Sequence, residues 1–235
     1  MGSTVRTLTS VVCLDMAGTT VRDDGTVMTA FTAAIAGRRL PADAHGEAMK
    51  YVIATMGQSK IEVFRHVLGG DEAAAQQVNA AFERHYAAAV AAGGVAALPG
   101  AEDLFAACRA AGIRVCLSTG FSPGTRDAII AALGWAGMVD LLLSPADVGR
   151  GRPWPDMPLA ALLRLGGGSV HELAVAGDTP SDVESGLRAG AGLVAGVLTG
   201  AGTAGQMSAV PAATGLPGRP VILDSVAGLL PLLGL

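Results

Sequence analysis

The 235-residue sequence predicts an α/β fold: a parallel sheet with covering helices, into which a separate helical domain is inserted. Three observations predict it. Short apolar runs alternate with helical stretches over the C-terminal two-thirds. Those runs are continuously apolar, as strands buried on both faces must be. Residues 26 to about 95 lose the strand signal but keep apolar residues three and four apart, so these helices should pack on one another.

In chain order, the first strand is VVCLD (11–15). The helical segments AAIAGRRL, EAMKYVIATMG, KIEVFRHVLGG and AAQQVNAAFERHYAAAVAA follow it. The sheet resumes after Leu98-Pro99-Gly100. The remaining strands are IRVCLST (113–119), VDLLLS (139–144), ELAVAGD (172–178), LVAGVLTG (193–200) and PVILDS (220–225). Between them run AEDLFAACRAAG, TRDAIIAALGW, PDMPLAALLRLG and SDVESGLRAG, which end near glycine as helix C-termini commonly do. The layout is a Rossmann-like core of residues 1–22 and 96–235 with a helical cap of residues 23–95. Hinges are expected near Val21–Gly25 and Gly93–Gly100, and a mobile loop over 201–219.

Composition narrows the function classes. Although 51% of residues are hydrophobic, no apolar run reaches the ~20 residues that span a bilayer. The N-terminal apolar stretch ends in an acid and reads as a strand, not a leader. A soluble, cytoplasmic protein is expected, with no membrane partner. Net charge is −4 and no basic run occurs, so nucleic acid is not an expected partner either. Cys13, Cys108 and Cys116 share no metal-ligand spacing and should be reduced, buried thiols. His45, His66, His85 and His171 form no ligand pair. Trp135 is expected to be a packing residue, Trp154 to pack or else to border the site beside Arg152, and Met16 to face the cap and touch substrate.

In open parallel sheets the reactive site lies beyond the carboxyl ends of the strands. Asp15, Ser118-Thr119-Gly120, Arg152, and the pair Asp178 and Asp182 all follow strands. Taken singly, each is equally well a turn or helix-cap residue. Together they fit phosphoryl transfer, which asks mainly for positioning and charge neutralisation. A carboxylate nucleophile divides one displacement into two, and it needs a hard cation such as Mg²⁺, which prefers oxygen ligands. Asp15 suits nucleophile and ligand, Asp178 completes the metal shell, and Asp182 suits a metal-held water. Thr119 and neighbouring backbone N–H groups suit the phosphoryl oxygens, and Arg152 the fixed positive charge.

The segments DMAGTT (15–20), STG (118–120), GRP (151–153) and GDTPSD (177–182) resemble the four signature motifs of haloacid dehalogenase-type hydrolases. The resemblance implies the fold above, Mg²⁺ held by Asp15, the Ala17 main chain, Asp178 and Asp182, and phosphate contacts from Ala17, Gly18, Thr119, Gly120 and Arg152. Most phosphatases of that superfamily carry a second aspartate two residues after the first, which protonates the leaving group. Here that position is Ala17. Asp-x-Ala-Gly-Thr-Thr resembles the first motif of phosphonoacetaldehyde hydrolases, which cleave a carbon–phosphorus bond with the help of a cap lysine that forms a Schiff base. Met56-Gly57-Gln58-Ser59-Lys60 matches that lysine's motif, making Lys60 the implied imine former and Met56 a substrate neighbour. Val63, Phe121 and Gly25 depart from the family, which has histidine, tyrosine and cysteine there.

For Lys60, imine formation, anion binding and a solvated helix start all remain open at this point. The function expected is a Mg²⁺-dependent hydrolase of a small phosphonate or phosphate, acting through an aspartyl-phosphate. The alternative is a small-molecule phosphomonoesterase with Lys60 as an anion-binding residue. A non-catalytic binding protein is disfavoured because the whole strand-end set is present. Relatives in that family often pair through the cap, so the resemblance also allows a homodimer.

Overall fold

The structure is a computed structural model and describes residues 9–38, 42–211 and 219–235. Six parallel strands form one sheet: β1 (Val11–Asp15), β2 (Arg114–Ser118), β3 (Leu141–Leu143), β4 (Leu173–Gly177), β5 (Leu193–Val197) and β6 (Val221–Leu223). Their order is β3-β2-β1-β4-β5-β6, so β1 lies inside the sheet, with β2 on one side and β4 on the other. The order reverses between β1 and β4, and the crevice at such a switch point is where open α/β sheets bind ligands. Asp15 ends β1 in register with Ser118 at the end of β2.

The continuous apolar runs have a simple cause. In β1, Val12 and Leu14 enter the cluster on one face of the sheet, while Val11 and Cys13 enter the cluster on the other. Helices α5 (Ala101–Ala110) and α6 (Pro123–Ala132) supply apolar side chains to the first face, α7 (Asp156–Arg164) to the second. The helix α8 (Pro180–Arg188) packs against β4 and β5. Cys13, Cys108 and Cys116 are buried and free. Trp135 is a packing residue as expected: it is fully buried, meets Phe105 edge-on at 5.1 Å, and donates its indole N–H to Glu102.

Between β1 and α5 the chain forms α1 (Thr26–Ala36), α2 (Ala42–Ala54), α3 (Lys60–Val67) and α4 (Glu72–Ala91). The segments leading in and out lie side by side. Arg22 N–H donates to the Ala96 carbonyl, and Leu98 N–H to the Thr20 carbonyl. Helices α1, α3 and α4 share a centre built from Phe31, Phe64, Phe82 and Tyr86, with the Phe31 and Phe82 rings 4.7 Å apart, and α2 adds Val52 to the same cluster. This centre is continuous with the core, because Tyr86 and Phe82 both meet Phe121, which follows β2. A polar tie adds to it: Glu83 on α4 accepts hydrogen bonds from the Ser122 and Thr125 hydroxyls at the start of α6.

Three expectations need correction. The segment 201–219 is not a loop throughout, since Ala204–Ser208 form a helix, α9. Thr203 caps it and Gln206 returns the bond, a capping box that the Thr-x-x-Gln spacing announces. The remainder of the expected loop, 212–218, lies outside the described residues. Met16 does not reach the cavity beyond the strand ends, so it is not placed to touch substrate. It is fully buried in the core, because the chain turns right after β1 and the Met16 carbonyl accepts from Thr19, Thr20 and Val21. Trp154 is 45% exposed rather than packed, its ring held between the guanidinium groups of Arg150 and Arg188 at 4.5 and 4.7 Å. Stacked arginines let an aromatic ring stay at the surface.

Phe82 touches both the inserted helices and the core, so truncating it opens a cavity in their shared centre. Phe82→Ala is expected to cost about 3–5 kcal/mol, lowering the melting temperature by roughly 6–20 °C. Chemical denaturation monitored by circular dichroism checks this; a loss under about 1 kcal/mol would mean that the shared centre contributes little.

Candidate active site

The residues that follow the strand ends converge. Carboxylate oxygens of Asp15, Asp178 and Asp182 lie within 4.8 Å of one another, and all three side chains are buried. Arg152, also buried, stands among them: Nη1 is 2.6 Å from Asp15 Oδ1 and Nε is 2.7 Å from Asp182 Oδ1. Its Nη2 donates to Ser118 at both the carbonyl (3.0 Å) and Oγ (2.6 Å), which fixes the guanidinium against the end of β2.

Each acid is held by its local chain. Thr20 Oγ1 donates to the Asp15 carbonyl. Asp178 accepts from the Thr19 hydroxyl at 3.3 Å and from Ala201 N–H at 2.7 Å. Asp182 is the third residue of α8 and accepts from the Thr179 N–H and hydroxyl, while the Thr179 hydroxyl accepts from Asp182 N–H. The cap of α8 is therefore Thr179 and not Asp182, whose carboxylate returns the bond as the capping-box partner and also joins the cluster. Gly18 explains why glycine follows Ala17. Its φ is +89°, and a Cβ there would lie 2.5 Å from Asp178 Oδ2.

Electrostatics follow from burial. Burial lifts the Asp15 carboxyl from 3.8 to about 6, with Arg152 pulling the other way and Asp182 adding to the rise. Burial also pushes Asp178 well above the usual carboxylate range, and the charges of Asp15 and Asp182 reinforce it. Asp182 Oδ1 has no hydrogen bond despite its closeness to Arg152 Nε, because the N–H does not point at it. A buried acceptor without a donor, beside two more hard oxygen ligands, fits a small divalent cation.

Ala17, Gly18, Met56, Thr119, Gly120 and Lys60 line a cavity of about 220 Å³ together with Asp15, Arg152 and Asp178. The Thr119 hydroxyl accepts from Phe121 N–H, so its own proton remains for a ligand. The loop before α3 roofs this cavity. Lys60 N–H donates to the Gly120 carbonyl and Arg152 Nη1 to the Gly57 carbonyl. Gly57 must be glycine, since its φ is +84° and a Cβ would lie 2.5 Å from Thr179 Oγ1.

Lys60 is not a solvated helix start. It is 6% exposed, with Nζ 5.3 Å from the Phe121 ring centroid and 5.6 Å from that of Phe31. Burial lowers its amine to about 8, against the opposing pull of Asp15. A larger groove of about 1200 Å³, bordered by Arg65, Glu83 and Trp154, runs up to the same lysine. Val63 is buried, one turn along α3 from Lys60, and brings no polar group.

Three contributors escaped the sequence reading. Thr19 and Ala201 hold Asp178, and Asp23 stands in the cavity wall. Thr19 lies within the first motif, and Ala201 follows the apolar run of β5, so strand-end position was the available signal for both. Asp23 had none, because it lies in a connecting segment eight residues past Asp15.

A family model described as haloacid dehalogenase-like hydrolase matches residues 9–190. The phosphonoacetaldehyde hydrolase of Pseudomonas fluorescens (strain SBW25) is 33% identical over 106 residues, which is 45% of this chain and 38% of that protein. The phosphonoacetaldehyde hydrolase of Bacillus cereus is 32% identical over 107 residues, 45% of this chain and 40% of that one. The match thus spans about two-fifths of the length of these curated relatives. Among solved structures, a phosphonoacetaldehyde hydrolase-like protein from Oleispira antarctica superposes with a TM-score of 0.76 at 25% identity, covering 97% of this chain and 92% of its own. A hydrolase from Pseudomonas syringae reaches 0.79 at 21% identity, covering 96% and 98%, and shares the fold. With strand order, strand-end acids and a family match over most of its length, the chain belongs to the haloacid dehalogenase-like hydrolases.

Proposed function

We propose that the chain is a phosphonatase-like hydrolase that cleaves the carbon–phosphorus bond of a small phosphono-carbonyl compound. The observation that carries the reading is the pairing of Lys60 with Ala17. The cavity offers a buried amine lowered to about 8, where an ester phosphatase would need an acid beside Asp15 and has a methyl group instead.

In this reading Asp15 attacks phosphorus and becomes an aspartyl-phosphate. Arg152, the Thr119 hydroxyl and main-chain N–H groups near Gly18 and Gly120 hold the phosphoryl oxygens. Lys60 condenses with the substrate carbonyl. The resulting iminium accepts the electron pair of the breaking carbon–phosphorus bond, so the carbon fragment departs as an enamine and needs no proton at that instant. Water then releases both fragments. Asp15, the Ala17 carbonyl and Asp178 would hold Mg²⁺, with Asp182 reaching it through water. That ion would neutralise the gathered carboxylates and draw charge from the phosphoryl oxygens. The inserted helices, residues 23–95, act as a cap that excludes water from the reacting groups. The loop contacts of Gly57 and Lys60 with Arg152 and Gly120 support a closed arrangement.

Val63 and Phe121 favour a second reading, a small-molecule phosphomonoesterase in which Lys60 binds an anionic group. Both are apolar and buried beside the lysine, where the resembled family has polar helpers.

Borohydride added during turnover of phosphonoacetaldehyde is expected to leave a mass adduct on Lys60 in the wild type and none in Lys60→Arg. Phosphate release without any adduct would favour the phosphomonoesterase. Because the amine must be neutral to attack, adduct formation should rise about tenfold per pH unit below about 8 and level off above it.

The raised acids give a separate test. A carboxyl whose folded pKa exceeds its unfolded value of 3.8 destabilises the folded state once ionised. For Asp15 this penalty is absent below the unfolded value, grows up to about 6 and is complete above it. Without metal, the melting temperature should therefore fall as pH rises through that window. At pH 7.5, saturating Mg²⁺ should restore roughly 5–10 °C, and Asp178→Asn should abolish that gain. An equal Mg²⁺ response in Asp178→Asn would remove this residue from the ligand set.

A further inference from the structure

Among the described residues, five titratable side chains stand in the wall of the inner cavity: Asp15, Asp23, Lys60, Arg152 and Asp178. Asp23 is the one that neither belongs to the acidic triad nor has a part in the reading above. It lies in the segment between β1 and α1, and its Oδ1 accepts from Val27 N–H at 3.0 Å, which anchors the carboxylate at the first turn of α1. No other hydrogen bond engages it among the described residues, and it is half-buried, within reach of solvent. Its charge is felt by Lys60, where it adds to the larger pull of Asp15 toward the protonated amine. It is also felt by the phenol of Tyr86, a side chain fully buried with its hydroxyl unpartnered.

We propose that Asp23 is the proton-transfer residue for Lys60, carrying protons between the amine, the substrate oxygen and solvent while the imine forms and is released. This rests on the imine reading. Condensation of a buried amine with a carbonyl needs two proton movements. First, the nitrogen lone pair forms the C–N bond and the carbonyl π pair moves to oxygen. With no ion pair joining it to Lys60 among the described residues, the Asp23 carboxylate then takes a proton from nitrogen through a bridging water and passes it to that oxygen, leaving a neutral carbinolamine. Second, Asp23, reprotonated from solvent, protonates the hydroxyl. The C–O bond breaks with its pair leaving in water, and the nitrogen lone pair closes the C=N bond. Amine, aldehyde and carboxylic acid thus become iminium, water and carboxylate.

The other titratable groups in the wall are already engaged: Arg152 keeps its proton, and Asp15 and Asp178 belong to the acidic triad that the reading above gives to phosphorus and metal.

The test is timed borohydride quenching of the full-length protein with Mg²⁺ and phosphonoacetaldehyde, reading the Lys60 adduct by mass spectrometry. Asp23→Asn keeps the acceptor for Val27 N–H, so a purely anchoring role would be met by it. It is expected to slow adduct formation about 10²- to 10⁴-fold. Formate should restore part of the rate in Asp23→Ala, whose shortened side chain leaves room for it. An Asp23→Asn rate within about threefold of wild type, or an Asp23→Ala variant indifferent to formate, overturns the proposal while leaving the imine reading intact. Absence of any Lys60 adduct in the wild type overturns the imine reading, and the proposal with it.

Discussion

The arrangement turns on one buried guanidinium. Arg152 lies against Asp15 and Asp182 and is fastened to Ser118, so it sets the spacing of strand ends that the sheet alone would leave as separate loops. One cation does not balance three buried carboxylates. The surplus negative charge is visible in the upward shifts of Asp15 and Asp178 and in the undonated oxygen of Asp182. Buried charges are tolerated only when paired or bound to metal. A site that gathers this much negative charge around one arginine is therefore built for further positive charge and for an electrophile that will accept a carboxylate.

The inserted helices give this centre its second half. Their aromatic centre reaches the core through Phe121, and the Lys60 amine lies close to that ring and to Phe31. The packing that holds the insertion to the core is thus the packing that desolvates the lysine. A weaker contact would leave the amine wetter and more fully protonated. Folding and reactivity are coupled at the same side chains, and Glu83 adds a polar tie between the two.

Much of this was legible in the sequence. The strand-end acids, the strand-end arginine and the helical insertion each follow from apolar runs, spacing and charge chemistry, and they converge because a parallel sheet aligns its carboxyl ends. What escaped has physical reasons too. Met16 continues the alternation of Val12 and Leu14 into the apolar cluster, which the residue's place beside Asp15 does not reveal. Trp154 shows that an aromatic ring needs no core if arginines cover its faces. The helix at Ala204–Ser208 is too short for periodicity to reveal, although its capping box was readable. Asp23 lies in a connecting segment, where only the folded chain tells which side chains meet the cavity.

The most direct measurement is a crystal structure of the protein soaked with Mg²⁺ and beryllofluoride, a mimic of a phosphoryl group bonded to carboxylate. The account predicts beryllofluoride on the Asp15 carboxylate, a cation between Asp15 and Asp178, and Arg152 and Thr119 turned toward the fluorines. Beryllofluoride elsewhere, or a cation bound away from Asp15, would contradict it.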